Sequence, residues 1–265
     1  MSELQSVVRY ERHGDVALLT LNRPHRHNAI NAALNHFLGA AIRRAEAEDV
    51  AAVVLTGAGD QAFCAGADML EMSGVEGAAG AGLHPAAAAS VESLPPRAEQ
   101  LDGYDCLSAT PLPVIAAING YCFGGGARLA VSCDIRLAAT HASFRLPGVE
   151  YGLVVTAAML PRLVGTSKAK EWIYTARRFE AAEALAAGLL SAVYPLADLL
   201  PAALAMAETI AQHSRAAVRE SKRVINAATL HATAVDMENA ANRVLRGSRE
   251  QTERFRDATR KVTGR

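Results

Sequence analysis

Short apolar runs alternate with longer amphipathic stretches along most of this chain. Residues 7–10 and 16–21 flank the turn His13-Gly14-Asp15, and this arrangement predicts a β-hairpin. Further apolar runs predict buried strands at residues 51–55, 114–118, 135–138 and 191–194. Strands that alternate with helical segments indicate an α/β fold.

The helical segments carry their apolar residues on one face. Asn28 or Asn31 is expected to cap a helix that runs through Arg44, with Leu34 and Leu38 on its buried face. Amphipathic patterns predict later helices at residues 168–176, 179–188, 199–212, 215–228 and 236–261. A chain of 265 residues is long enough for one large α/β domain, or for a core domain plus a small helical one.

Three consecutive glycines, Gly124 to Gly126, follow the predicted strand at residues 114–118. Glycine allows a sharp turn and a close approach of the backbone, and residues 127–132 are predicted to form the helix that follows. Free N–H groups at the start of that helix make a cradle for an anion or a polarised oxygen. Glycine clusters also serve simply to pack a helix tightly against a strand, so this motif alone leaves both interpretations open.

A second turn of small residues has the sequence AFCAGADM, at positions 62–69, and offers another exposed N–H at Ala67. Two backbone donors that converge on one carbonyl oxygen form an oxyanion hole, and each contributes roughly 100- to 1000-fold in rate. Together with LNRP at residues 21–24 and AEALAAGL at residues 182–189, the two loops resemble the crotonase superfamily, which contains the enoyl-CoA hydratases and isomerases. The matching pieces occur in the family's order.

The resemblance implies a spiral of ββα units over residues 1–200, and a C-terminal helical region over residues 201–265 that forms a homotrimer or a dimer of trimers. It implies that the thioester carbonyl of an acyl-CoA lies between the N–H groups of Ala67 and Gly125, which stabilise an enolate. The loop from Arg23 to His27 would contact the CoA adenine and phosphates. The substrate contacts implied along the chain are Arg26, Ala65, Asp68, Arg128, Gly148 and Lys261.

The two carboxylates of a typical hydratase are missing from this pattern. The family carries one glutamate a helical turn after the glycine run and another after the proline of a later loop, one as base and one as acid. Here those positions hold Arg128 and Gly148. Glu150 is the candidate replacement base. If Glu150 and Arg128 both face the pocket, we expect them to pair, which would make Glu150 a poorer base. Arg128 would otherwise contact a carboxylate or polar group of the acyl chain.

Two functions fit these residues. An enzyme of this family would use the oxyanion donors with a different proton donor, as a lyase or isomerase in fatty-acid or related acyl-CoA metabolism. A non-catalytic acyl-CoA-binding protein would keep the fold and the donors without the acid and base. Motifs of other classes are missing from the sequence, namely the G-x-G-x-x-G dinucleotide fingerprint, the P-loop and the G-x-S-x-G nucleophile elbow.

Composition sets the remaining expectations. The 27 basic and 27 acidic residues balance, which favours neither a nucleic-acid nor a membrane-surface partner. Four cysteines show no metal-ligand spacing and no disulfide density, so we expect a cytoplasmic protein with no metal and no cofactor beyond the coenzyme A of its substrate.

Residues 73–93 are rich in Gly and Ala and predict a mobile loop at the acyl end of the substrate, with His84 as a weak acid/base candidate.

Overall fold

The computed structural model describes residues 7–69 and 94–263, and within these ranges the strands form two sheets. The strands are β1 (Val8–His13), β2 (Val16–Leu21), β3 (Ala52–Gly57), β4 (Ala62–Cys64), β5 (Val114–Ile118), β6 (Tyr121–Phe123), β7 (Ile135–Ala139), β8 (Ser143–Arg145), β9 (Arg178–Glu180) and β10 (Ala192–Tyr194). The larger sheet has the order β1-β2-β3-β5-β7-β10, and the smaller one has the order β4-β6-β8-β9.

The α-helices follow in the same way. They are α1 (Ala32–Ala47), α2 (Gly103–Ala109), α3 (Gly125–Ser132), α4 (Pro161–Val164), α5 (Thr166–Thr175), α6 (Ala181–Ala186), α7 (Leu196–Ala211), α8 (Arg215–Thr229), α9 (Ala232–Leu245) and α10 (Arg249–Thr263). Short 3-10 turns occur at Pro24–Arg26, Arg97–Glu99 and Pro147–Tyr151. No helix among the described residues is long and apolar enough to cross a bilayer.

The predicted hairpin is confirmed, because β1 and β2 pair antiparallel with Val8 opposite Leu21. From β2 onwards the large sheet is parallel. Every residue of β2, β3 and β5 is buried, as expected for parallel strands that are covered on both faces. Helices α1 and α7 pack against this sheet and provide much of that cover.

Each long central strand is followed by a short strand of the second sheet. β3 leads to β4, β5 leads to β6, and β7 leads to β8, so the chain steps repeatedly from one sheet to the other. Helix α3 follows β6 and completes one such unit. This repeat is the α/β spiral of ββα units that the resemblance implies, followed by a helical C-terminal region.

Asn31 is the residue that caps α1, because its side-chain oxygen accepts a hydrogen bond of 2.9 Å from the Leu34 N–H. Asn28 instead adopts a positive φ of 55° and binds the backbone of the neighbouring loop. The prediction of one helix over residues 236–261 is wrong, since α9 and α10 are separated at Gly247, where φ is 75°. The predicted loop at residues 73–93 and His84 lie outside the described residues.

Ion pairs and a ring contact attach the C-terminal helices to the core. Lys222 of α8 pairs with Asp134 at 2.8 Å, next to the start of β7. One turn earlier on the same helix, Arg219 pairs with Asp49 at 2.7 Å. Helix α10 returns to the 3-10 turn at Pro147–Tyr151, where the Phe255 and Tyr151 rings are 6.3 Å apart. The last helix therefore closes one side of the region around the glycine run.

A buried polar cluster joins the loop after β2 to the loop after β4. Although the resemblance places Arg23 in a loop that contacts CoA, its side chain is only 2% exposed. The Arg23 guanidinium pairs with Asp68 at 2.8 Å and donates to the Ala29 carbonyl. Asn28 accepts a hydrogen bond from the Arg23 N–H and donates one of 2.8 Å to the carbonyl of Ala62. The two loops are thus held together by charge and hydrogen bonds in the interior.

We expect Asp68→Asn to destabilise the fold by about 3–5 kcal/mol, because it leaves the buried guanidinium of Arg23 without its counter-charge. Urea unfolding followed by circular dichroism measures the effect. Glu253→Gln is the matched control, since it breaks the exposed Arg249–Glu253 pair and should cost no more than about 1 kcal/mol. Equal losses in the two variants would contradict a structural role for the buried pair.

Candidate active site

A cleft of about 1180 Å³ lies between the two small-residue loops, the turn at Pro147–Tyr151 and helix α10. Its described lining includes Ala67 and Gly125, the two positions at which the sequence predicts oxyanion donors. The helix α10 contributes Gln251 and Phe255 to the same wall. One chain therefore supplies both the donor loops and part of the cover over them.

The glycine turn forms because β6 ends at Phe123 and the chain must reverse direction at once. Gly124 takes up this reversal with φ 51° and ψ −113°, and its N–H donates to the Arg145 carbonyl of β8. Helix α3 then begins at Gly125. The Gly125 N–H belongs to the first turn, where the helix itself offers no acceptor.

The Ala67 loop is held by a short backbone ladder to residues 27–30. The Ile30 N–H donates to the Gly66 carbonyl at 2.7 Å, and the Asp68 N–H donates to the Ile30 carbonyl at 2.9 Å. Successive residues of an extended segment face opposite sides, so the N–H of Ala67 faces away from this ladder. In the part of the chain that the structure describes, neither the Ala67 nor the Gly125 N–H donates to another protein group.

The two donor loops approach each other so closely that side chains are excluded. A Cβ at Gly125 would lie 3.6 Å from the Ala67 nitrogen, so both N–H groups border the same small space. A Cβ at Gly126 would lie 2.1 Å from the Cys64 carbonyl oxygen, and one at Gly66 would lie 2.9 Å from the Phe123 carbonyl oxygen. Glycine is therefore required for this approach.

Tyr104 of α2 places its hydroxyl group at this same space. A Cβ at Gly125 would be only 2.4 Å from the phenolic oxygen, and Tyr104 lines the cleft. Burial raises the pKa of Tyr104, and the nearby charges of Arg128 and Arg246 act in the opposite direction without offsetting it. Among the described residues its hydroxyl makes no hydrogen bond, so a ligand can receive one.

Arg128 also lines the cleft, one helical turn after Gly125. Its guanidinium lies over the Tyr104 ring, 4.3 Å from the ring centroid. The expected pair with Glu150 does not form. Glu150 pairs with Arg145 at 2.5 Å, and it is not part of the cleft lining.

The family model for enoyl-CoA hydratase/isomerase matches residues 11–259, nearly the whole chain. The chain belongs to the enoyl-CoA hydratase/isomerase family. Among its relatives, the short-chain-enoyl-CoA hydratase of Clostridium acetobutylicum is 38% identical over 233 residues, which are 84% of this chain and 82% of that protein.

Solved structures of the family share the fold. A carnitinyl-CoA hydratase from Mycobacterium avium has a TM-score of 0.79 at 30% identity and covers 98% of this chain and 97% of its own. A monofunctional enoyl CoA isomerase from M. smegmatis has a TM-score of 0.68 at 32% identity, covering 86% of this chain and 95% of its own. These names include hydratases and an isomerase, so membership of the enoyl-CoA hydratase/isomerase family does not fix the reaction of this chain.

Several other predicted contacts also lie in the cleft of this family member. Arg26, Ala65, Asp68 and Gly148 line it together with Arg128. The Asp68 carboxylate, however, is held by Arg23 at 2.8 Å. Lys261 lies near the end of α10, is exposed and does not line the cleft.

Three polar residues that the sequence pattern did not single out, Tyr104, Arg145 and Arg246, are among those that line the cleft. Tyr104 follows the cap residue Asp102 at the start of α2, and this local pattern predicts only a helix start. Its place beside Gly125 depends on the packing of α2 against α1 and α3. Arg246 follows the end of α9, in the break between α9 and α10. The periodic pattern of apolar residues gave no sign of this break.

Proposed function

We propose that this protein binds an acyl-CoA thioester and stabilises its enolate, as a lyase or isomerase of fatty-acid or related acyl-CoA metabolism. The observation that carries the proposal is the pair of N–H groups of Ala67 and Gly125, which border one space in the cleft and donate to no other group of the described residues. Fixed backbone donors of this kind act where negative charge develops, and removal of one typically costs about 100- to 1000-fold in rate.

In a lyase reaction, a bond from the α-carbon to a leaving group breaks and its electron pair passes to the thioester, which becomes an enolate; Tyr104 is the donor that then protonates the α-carbon in this proposal. A phenol whose pKa is raised by burial stays protonated at neutral pH, so it suits donation to an enolate carbon better than abstraction of a proton. Its oxygen lies next to Gly125, where the enolate oxygen would be held. Donation by Tyr104 would leave a phenolate that Arg128 and Arg246 help to stabilise.

Ordinary hydration of an enoyl-CoA needs a carboxylate base to activate water and an acid to deliver the proton. The only carboxylate among the described residues that line the cleft is Asp68, which is paired with Arg23. Glu150 is paired with Arg145 outside the lining. We therefore propose that hydration is not the activity of this protein.

The same observation favours a second candidate function. A non-catalytic acyl-CoA-binding protein would need the cleft and the donors but no general base, and every carboxylate of the described site is already paired. Under either function, coenzyme A enters as part of the substrate and no further cofactor is proposed. The four cysteines are free and buried, which supports a location in the reducing cytoplasm.

We expect the purified protein to bind acyl-CoAs in calorimetric titrations and to hydrate crotonyl-CoA far more slowly than the order of 10 per second that is typical of enzymes. The same acyl-CoA panel, incubated with the protein and examined by mass spectrometry, distinguishes the two functions. Product from any member that disappears in Tyr104→Phe supports the enzyme. Binding without product supports the carrier, and fast crotonyl-CoA hydration would contradict the proposal.

Gly125→Ala is expected to weaken acyl-CoA binding at least about tenfold, because the new Cβ enters the donor space and collides with the Tyr104 hydroxyl. Calorimetry with butyryl-CoA measures the loss. The double variant Gly125→Ala/Tyr104→Phe lacks the colliding oxygen and should regain part of the affinity for butyryl-CoA. The free energies of binding of the two single variants and the double variant then give a coupling energy between residues 125 and 104. Unchanged affinity in Gly125→Ala would refute the role of Gly125.

We also propose that the chain forms a homotrimer or a dimer of trimers through its C-terminal helices. Helices α8 and α9 contribute no fully buried side chain to the described core. They expose large apolar side chains instead: Val224 (56%), Ile225 (59%), Met237 (69%) and Val244 (79%). Exposed apolar surface of this extent is typical of a protein interface.

Val224→Asp combined with Ile225→Asp should convert the assembly to monomers, since a carboxylate in an apolar interface loses its hydration without gaining a partner. Light scattering coupled to size-exclusion chromatography gives the mass. Leu185→Asp, on the exposed face of α6, is the control and should leave the mass unchanged. A wild-type monomer would contradict the proposal directly.

A further inference from the structure

The charges that face the cleft are strongly unequal. Four arginines line it: Arg26, Arg128, Arg145 and Arg246. Asp68 is the only acidic side chain in the described lining, and its carboxylate is already paired with the buried guanidinium of Arg23. Among the cations, Arg145 is neutralised by Glu150 at 2.5 Å. Within the described lining, Arg128 and Arg246 therefore leave a surplus of positive charge.

Arg128 is a cation close to the proposed thioester position. It lies one turn after Gly125 on α3, and its guanidinium lies 4.3 Å from the centroid of the Tyr104 ring, whose hydroxyl borders Gly125. Within the described residues no carboxylate lies within 4.0 Å of Arg128. Arg246 also lines the cleft and adds a second positive charge.

The chain contains a useful contrast to this arrangement. Arg178 also places its guanidinium over a tyrosine ring, 5.3 Å from the centroid of Tyr121, but it has an acidic partner, Glu180, at 3.1 Å. It does not line the cleft. Arg178 is thus stacked on a ring and also paired with an acidic group, whereas Arg128 lines the cleft and, among the described residues, acts on the Asp105 carboxylate without forming a salt bridge with it.

We infer that the acyl group of the natural ligand carries a carboxylate that pairs with Arg128, with Arg246 as a second cation. This inference rests on the proposed binding of an acyl-CoA. A guanidinium offers two parallel N–H donors to a carboxylate, and stacking on Tyr104 holds the Arg128 fork in place before the ligand arrives. A purely apolar acyl group would strip water from Arg128 without replacing its hydrogen bonds.

The test uses pairs of acyl-CoAs in which an isopropyl group replaces the carboxylate at nearly the same shape. Malonyl-CoA is compared with isovaleryl-CoA, and glutaryl-CoA with 5-methylhexanoyl-CoA, by calorimetry on the full chain. We expect the carboxylated member of at least one pair to bind at least about tenfold more tightly. Equal or tighter binding of the apolar member in both pairs would overturn the inference while leaving the proposed function intact.

Variants assign the preference to a residue. In Arg128→Gln, the carboxylated and the apolar acyl-CoA of a pair should bind with about equal affinity. Arg128→Lys should retain part of the preference for the carboxylated member. Arg178→Gln is the matched control and should leave that preference unchanged. Circular dichroism verifies that each variant is folded. A preference that survives Arg128→Gln would overturn the assignment to Arg128. Failure of all four thioesters to bind the wild-type protein would overturn the proposed function, and this inference with it.

Discussion

The buried ion pair between Arg23 and Asp68 fixes the loop on which the candidate oxyanion hole depends. Two buried charges cost several kcal/mol each unless they are paired and hydrogen-bonded, and here the guanidinium also donates to the Ala29 carbonyl. The Asn28 side chain also donates a hydrogen bond to the carbonyl of Ala62, at the start of the strand that leads into the Ala67 loop. Because Asp68 directly follows Ala67 in sequence, this interior pair determines where the Ala67 N–H can lie.

The second constraint is the close contact between two pieces of backbone. Glycine at three consecutive positions costs about 0.5–1 kcal/mol per residue in chain entropy relative to alanine. A Cβ at Gly126 would nevertheless lie 2.1 Å from the Cys64 carbonyl, a distance that no packing adjustment of side chains can accommodate. The steric requirement therefore outweighs the entropic cost, and it brings the Gly125 N–H beside that of Ala67.

Charge pairing then limits what the cleft can do. Within the described part of the chain, arginines pair with both acidic residues that the sequence singled out, since Arg23 holds Asp68 and Arg145 holds Glu150. The described lining also holds backbone donors, a phenol with a raised pKa and guanidinium groups, together with the imidazoles of His25 and His27. The backbone donors, the phenol and the guanidinium groups stabilise negative charge. The site thus favours binding and protonation of an anionic intermediate.

The sequence by itself determined the hairpin, the central strands, the glycine turn and the position of both donor loops, because these features depend on local periodicity and on the steric freedom of glycine. Only the tertiary structure decided which charges meet. Glu150 pairs with Arg145 rather than Arg128, and Tyr104 reaches Gly125 from a helix about 20 residues earlier. The contact between Tyr104 and Gly125 joins two separate segments, and the choice of Arg145 over Arg128 as the partner of Glu150 depends on how the loop packs against helix α3, so neither contact leaves a periodic signal along the chain.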